Sequence, residues 1–186
     1  MNKNDLKKLK DGAFEWWKIV SPESEYDRYK GERAELRRCH STTDVMFIPA
    51  YHLLVQKTDA DTNDNSEQLH QLAAIAWVLS WVDEDEKKVD KNGRKIEFAK
   101  SLGEINPATD MPKYSEMRFR RLLASDNWDD LSKQLIRAVK ITNRRANVTD
   151  IIESILYWKH GTAKESMAIS YYGSFKEKSK KVNKND

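Results

Sequence analysis

Arginine is the residue type whose placement in this chain most invites chemistry. Arg33, Arg37 and Arg38 fall in the run Gly31-Glu32-Arg33-Ala34-Glu35-Leu36-Arg37-Arg38, and a second run reads Arg118-Phe119-Arg120-Arg121-Leu122-Leu123. On a helix Arg33 and Arg37 stack at i and i+4, with Arg38 turned about 100° away. If Phe119, Leu122 and Leu123 face a core, Arg121 points outward with Arg118 and Arg120 beside it. Arg137, Lys140, Arg144 and Arg145 extend the basic surface. A guanidinium is planar and permanently charged, and its fork donates two parallel hydrogen bonds to a phosphate. Helix-face arginines are also commonly solvated or paired with nearby acids, and Glu32 and Glu35 are at hand. From these residues alone, phosphate binding and a plain charged surface both stay open.

Other chemistry finds no support. The histidines His40, His52, His70 and His160 show no metal-ligand spacing. His52 lies in an apolar segment and is expected to be a satisfied, partly buried side chain. Cys39 and His40 are neighbours in sequence, which does not set a thiolate against an imidazole, and one cysteine excludes an internal disulfide. There is no phosphate-binding glycine loop and no nucleophile elbow. The acids Asp83-Glu84-Asp85-Glu86 are expected to be solvated rather than to hold a cation. No metal, cofactor or catalytic residue is assigned, although scattered carboxylates could still build a metal-dependent nuclease.

These side chains must be positioned by helices. Gly and Pro number only six and four, too few for the turns of a β-sandwich, while six Trp, seven Tyr and five Phe provide for a core. Phe14, Trp16, Trp17 and Val20 mark a first amphipathic element. Leu69, Leu72, Ala73, Ala76 and Leu79 predict a helix capped by Asn65 or Ser66. Trp77, Val78, Trp81 and Val82 add a second stripe, so this helix is expected to be central. Further helices are predicted around Phe98 to Leu102, over Tyr114 to Ala124, after an Asp126 cap, around Ile151 to Leu156 with a stop at Gly161, and over Ala163 to Tyr172. The expected fold is all-α, a two-part helical bundle: 1–86, a polar linker at 87–95, 96–175, and a lysine-rich, unstructured tail at 176–186. No apolar run spans a membrane and no signal core follows the N-terminus, so a cytoplasmic location is expected.

Charge is segregated. Lys113 to Arg145 holds nine Lys/Arg against four Asp/Glu, and Arg28 to Arg38 holds five against two, although the whole chain is only +3. A basic side of this kind suits a polyanionic partner.

The run Gly31 to Arg38, followed by Ile48-Pro49-Ala50-Tyr51 and Leu53-Leu54-Val55, resembles the N-terminal signature of the CasB family. These are the small subunits of the type I-E CRISPR surveillance complex, Cascade. Glu116 to Leu123 is similar to the family's Arg-aromatic-x-Arg-Leu-Leu helix, Asp126 to Ala138 to its acid-capped Leu/Arg helix, and Leu156-Tyr157-Trp158 to its closing Leu-x-Trp element. The likeness runs from about Phe14 to Gly161. Phe98-Ala99-Lys100-Ser101-Leu102 stands where the family often has Leu-Gly-Arg-x-Leu, so charge is kept at Lys100 while the bidentate fork is lost. His52 stands where a basic residue is frequent.

The resemblance implies a non-catalytic RNA- and DNA-binding subunit in antiviral defence, present with a second copy of itself. It would contact other Cascade subunits, especially the repeated backbone subunit, and hold the guide RNA–target DNA hybrid and the displaced strand without reading sequence. The carry-over falls on Arg38, Arg118, Arg121 and Arg137, with Arg33, Arg37 and Lys100 in support and Lys159 weaker. A second reading is a helical scaffold whose arginines make only protein–protein contacts, since arginine is also enriched at interfaces.

Overall fold

The computed structural model describes residues 3–26, 28–60, 66–86 and 96–182, with side chains for 5–26, 28–60, 66–86 and 96–175. The described elements are helical, as the scarcity of turn residues predicts. They are α1 (Lys3–Val20), α2 (Arg28–Arg38), α3 (Thr42–Met46), α4 (Pro49–Thr58), α5 (Ser66–Leu79), α6 (Phe98–Gly103), α7 (Glu116–Leu123), α8 (Trp128–Ile141), α9 (Val148–Leu156) and α10 (Thr162–Val182). A 3-10 turn (Trp158–His160) joins α9 to α10. Four two-residue strands complete the list: β1 (Glu84–Asp85), β2 (Ile105–Asn106), β3 (Met111–Pro112) and β4 (Arg145–Ala146). β2 and β3 form a small antiparallel hairpin, whereas β1 pairs in parallel with β4.

α5 is the central helix because it has no polar face along most of its length: every residue from Leu72 to Leu79 is buried. Its apolar surface packs against α3, α4, α8 and α9. α1 crosses α4 at Gly12, where a Cβ would collide with the Lys57 carbonyl, so the absent side chain sets how closely the helices approach. Trp16 is fully buried and its Nε1 donates to the Ala50 carbonyl at 2.7 Å, while Trp17 Nε1 donates to the Val82 carbonyl at 3.1 Å. An indole buried with its N–H satisfied contributes area at no polar cost. α10 packs on α6 at Gly103, which likewise has no room for a Cβ beside the Tyr171 carbonyl.

Local signals set several boundaries. Ser41 and Asp44 form a reciprocal capping box on α3, and Pro49 occupies the first turn of α4. α8 is capped by Asn127, not by Asp126 one residue earlier: its side chain accepts from the Asp130 N–H. Gly161 ends the 3-10 turn at φ 79°, the left-handed conformation expected of a stop. Ser66 begins α5; Asn65 lies outside the described residues.

The proposed linker 87–95 also lies outside the described residues; of the acids before it, Asp83, Glu84 and Asp85 keep contact with solvent but are paired rather than free. Asp83 takes the guanidiniums of Arg33, Arg37 and Arg144, Glu84 pairs with Arg145 at 2.7 Å, and Asp85 accepts from the Val148 N–H that starts α9. Consecutive carboxylates are retained here because each meets a different donor from beyond the linker. Elements before and after it share one continuous hydrophobic core. His52 is exposed on α4, edge-on to Tyr51, rather than partly buried. α10 continues to Val182, past Lys176, where an unstructured tail was expected to begin.

Candidate nucleic-acid interface

α7 carries the second arginine motif in the orientation its pattern predicts. Phe119 and Leu122 are buried, and Phe119 stacks on Tyr171 with 3.8 Å between ring centroids. The Tyr171 hydroxyl then donates to the Tyr114 carbonyl at 2.6 Å, tying α10 to the approach to α7. With one face held this way, Arg118, Arg120 and Arg121 are all exposed. They are not equivalent. Arg120 pairs with Glu116 at 2.6 Å, whereas Arg118 and Arg121 have no carboxylate partner among the described residues. Arg137, exposed on α8, has no carboxylate partner among the described residues and donates a 3.2 Å hydrogen bond to Gln134. Arg118 and Arg137 converge on Tyr114: burial pushes its phenol up, and both arginine charges pull against that shift.

The first motif divides differently. Arg38, at the last position of α2, is exposed and has no described carboxylate partner. Arg33 is 5% exposed, and each nitrogen of its fork has an acceptor inside the fold. Nε donates to the Ser80 carbonyl at 2.8 Å, and Nη2 donates to the Val82 carbonyl at 2.7 Å and to Asp83 at 2.8 Å. Arg33 therefore joins α2 to the end of α5 and is not available to a phosphate. Burial lowers its pKa to about 10, with the Arg37 charge adding to the effect and Asp83 opposing it. Arg37 is half-buried, donating to the Ser80 carbonyl at 2.7 Å and to Asp83 at 2.6 Å.

The two motifs, far apart in sequence, are bridged by basic residues of α8 and the turn after it. Lys140 lies within electrostatic reach of Arg144, Arg137 and Arg37. Arg37 and Arg144 share Asp83. One basic ridge thus runs from Arg37 through Arg144, Lys140 and Arg137 to Arg118, and Arg38 is exposed next to Arg37 in sequence, at the end of α2. Lys100, half-buried on α6, already has a partner. Lys159 is exposed, but pairs with Glu67 at 2.5 Å and lies over the Trp128 ring.

Trp81, Asp83 and Tyr114 are the parts of this surface that motif reasoning missed. The only hint in the chain is an aromatic and an acid two positions apart just beyond a long apolar helix.

A half-open cavity of about 240 Å³ lies between α6, α9 and α10, with Glu97, Asp150 and Glu153 in its wall. Its charge is wrong for a polyanion, and its carboxylates are engaged by Ser170, the Phe98 N–H and Lys10. Among the described residues no group of three His, Cys, Asp or Glu side chains could hold a metal ion. No described helix is long and apolar enough to cross a membrane.

An all-α protein with arginines displayed along one ridge is the class defined by this fold and surface. The model of the family described as CRISPR-associated protein Cse2 matches residues 32–172. The chain belongs to this family, the CasB small subunits of type I-E Cascade. The matched span contains the arginines of both motifs and Asp83, which pairs with Arg33, Arg37 and Arg144. No curated protein and no solved structure matches the chain.

Proposed function

We propose that this subunit binds nucleic-acid backbone without reading sequence, and that it stabilises the R-loop formed when the guide RNA of Cascade pairs with target DNA. The observation that carries this reading is the set Arg38, Arg118, Arg121 and Arg137: all exposed, none paired with a carboxylate among the described residues. Arginines that were merely decorating a soluble surface would be expected to find acids, as Arg120 and Arg145 do. Strand exchange in an R-loop is nearly balanced, so a few phosphate contacts are enough to tip it. The role is electrostatic and non-catalytic, served by two copies of the chain beside the repeated backbone subunit. Lys100 and Lys159 are secondary contacts, since both already have partners.

The test is the pair Arg118→Ala and Arg121→Ala in the assembled complex. Assembly should be unchanged while R-loop formation weakens, and the loss should grow as salt is lowered, because each neutralised phosphate releases counterions. Loss of co-purification with partner subunits would instead assign these arginines to protein contacts.

A further inference from the structure

Trp81 stands just beyond α5, and three cations from three parts of the chain surround its ring. Lys140 Nζ lies 3.7 Å from the ring centroid, and the Cζ atoms of Arg37 and Arg144 each lie 5.3 Å from it. Arg33 is adjacent, sharing Asp83 with Arg37. Four cations therefore gather where, among the described residues, Asp83 supplies the only ion pairs. Arg33 and Arg37 use Oδ1, and Arg144 reaches Oδ2 at 3.5 Å. Lys140 has no described carboxylate partner. Burial, with Arg144, Arg137 and Arg37 beside it, holds its ammonium below the ordinary pKa.

The backbone is also shaped for this arrangement. Asn143 and Arg144 both adopt positive φ, 56° and 62°. For arginine that region is sparsely populated, and such conformations persist only where the surroundings enforce them, often at binding sites. Here the enforcing contacts are the Arg144 carbonyl, which accepts from the Asp83 N–H at 2.8 Å, and the Arg144 N–H, which donates to the Val139 carbonyl at 2.9 Å. The turn lays the Arg144 side chain back over Trp81. The Trp81 Nε1 is itself buried without an acceptor among the described residues. An indole face weakly stabilises cations in place of counterions, and so keeps their remaining hydrogen-bonding capacity available.

We infer that Lys140, Arg144 and Arg37 form a built site for a single phosphate, with Trp81 and Asp83 as positioning residues that hold the three cations together. The inference rests on the backbone-binding reading above and gives it a fixed anchoring point, distinct from the exposed arginines of α7. A phosphate suits the site better than a carboxylate because it offers acceptors to three separate donors at once.

Full-length protein titrated with a short, mixed-sequence single-stranded DNA across a salt series tests this. Lys140→Gln combined with Arg144→Ala should weaken binding roughly tenfold. The salt slope should fall by about 0.7, the value for one phosphate contact on a single strand. Lys140→Gln alone keeps an aliphatic stem on the indole and guards against a folding defect. Inorganic pyrophosphate, compared with chloride at equal ionic strength, should change tryptophan emission in the wild-type chain but not in Trp81→Phe. Asp83→Asn leaves the buried Arg33 charge without its carboxylate and should lower the melting temperature. Well below that temperature it should still weaken pyrophosphate binding, although it adds one net positive charge, because the cations are no longer held together. If the Lys140/Arg144 variants bind DNA with unchanged slope while Arg118→Ala/Arg121→Ala loses binding, the anchoring site is refuted and the general reading stands. If neither pair affects binding, both fall. Silence towards DNA and pyrophosphate, coupled with loss of a protein partner in the Lys140/Arg144 variants, overturns the phosphate assignment in favour of a partner's carboxylate.

Discussion

Replacing Arg33 with alanine separates the structural arginine from those proposed to meet nucleic acid. The substitution removes three hydrogen bonds of 2.7–2.8 Å and a 3.4 Å contact to the Val20 carbonyl. Breaking a buried ion pair by deleting one partner costs about 3–5 kcal/mol when the other is left bare. Asp83 is not left bare, because Arg37 and Arg144 remain on it. The Ser80 carbonyl keeps Arg37, and the Val82 carbonyl keeps Trp17. Only Val20 loses its sole described side-chain donor. The guanidinium's own desolvation cost, visible in its depressed pKa, also disappears. The expected loss is therefore about 2–3 kcal/mol, most of it charge-assisted hydrogen bonding and stem packing. Urea unfolding followed by circular dichroism measures it as a lower midpoint at unchanged slope. Arg33→Met, which keeps the stem's bulk, should recover part of the loss. Affinity for single-stranded DNA, measured well below the midpoint, should stay within about twofold of wild type. A cost under about 0.5 kcal/mol, or a DNA-binding defect in a folded variant, would refute the assignment of Arg33 to the core.

Three further outcomes probe the scaffold. Gly103→Ala forces a Cβ into the Tyr171 carbonyl at the α6–α10 crossing and should cost about 1–3 kcal/mol by thermal melting, as overpacking does. Gly31→Ala, in the interior of α2 with open space around it, should instead stabilise by about 0.5–1 kcal/mol. Burial raises the Tyr51 phenol to about 12 from its ordinary 10.0. A raised folded-state pKa means its contribution is whole below pH 10 and is lost as pH rises towards 12. Alkaline titration should therefore show Tyr51 ionising late with unfolding, and Tyr51→Phe should lessen this loss.

The helices were legible where periodicity was strong. α5 follows from its two apolar stripes, and α7 from Phe119, Leu122 and Leu123, which also place Arg118 and Arg121 outside. What one-dimensional reading could not supply was partnership. Arg33 and Arg38 look alike in a motif, yet one is buried against three carbonyls and the other is exposed. The difference depends on where α5 ends, which no local pattern encodes. Asp83 to Asp85 seemed a solvated run because their partners Arg144, Arg145 and Val148 lie about sixty residues on. For the same reason the sequence does not show that Arg37 and Arg144 meet on one carboxylate.

The β1–β4 pairing also bears on how the chain is made. Synthesis proceeds from the N-terminus, and Asp83 emerges with Arg33 and Arg37 already present. The carbonyl that its N–H requires belongs to Arg144, 61 residues later. α1 waits longer still, since it packs on α9 and Lys10 pairs with Glu153. The nascent chain must therefore hold an incomplete apolar core, Trp16 and α5 included, until α8 and α9 have left the ribosome. Such long-range closure slows folding and leaves the growing chain reliant on protection from aggregation during that interval.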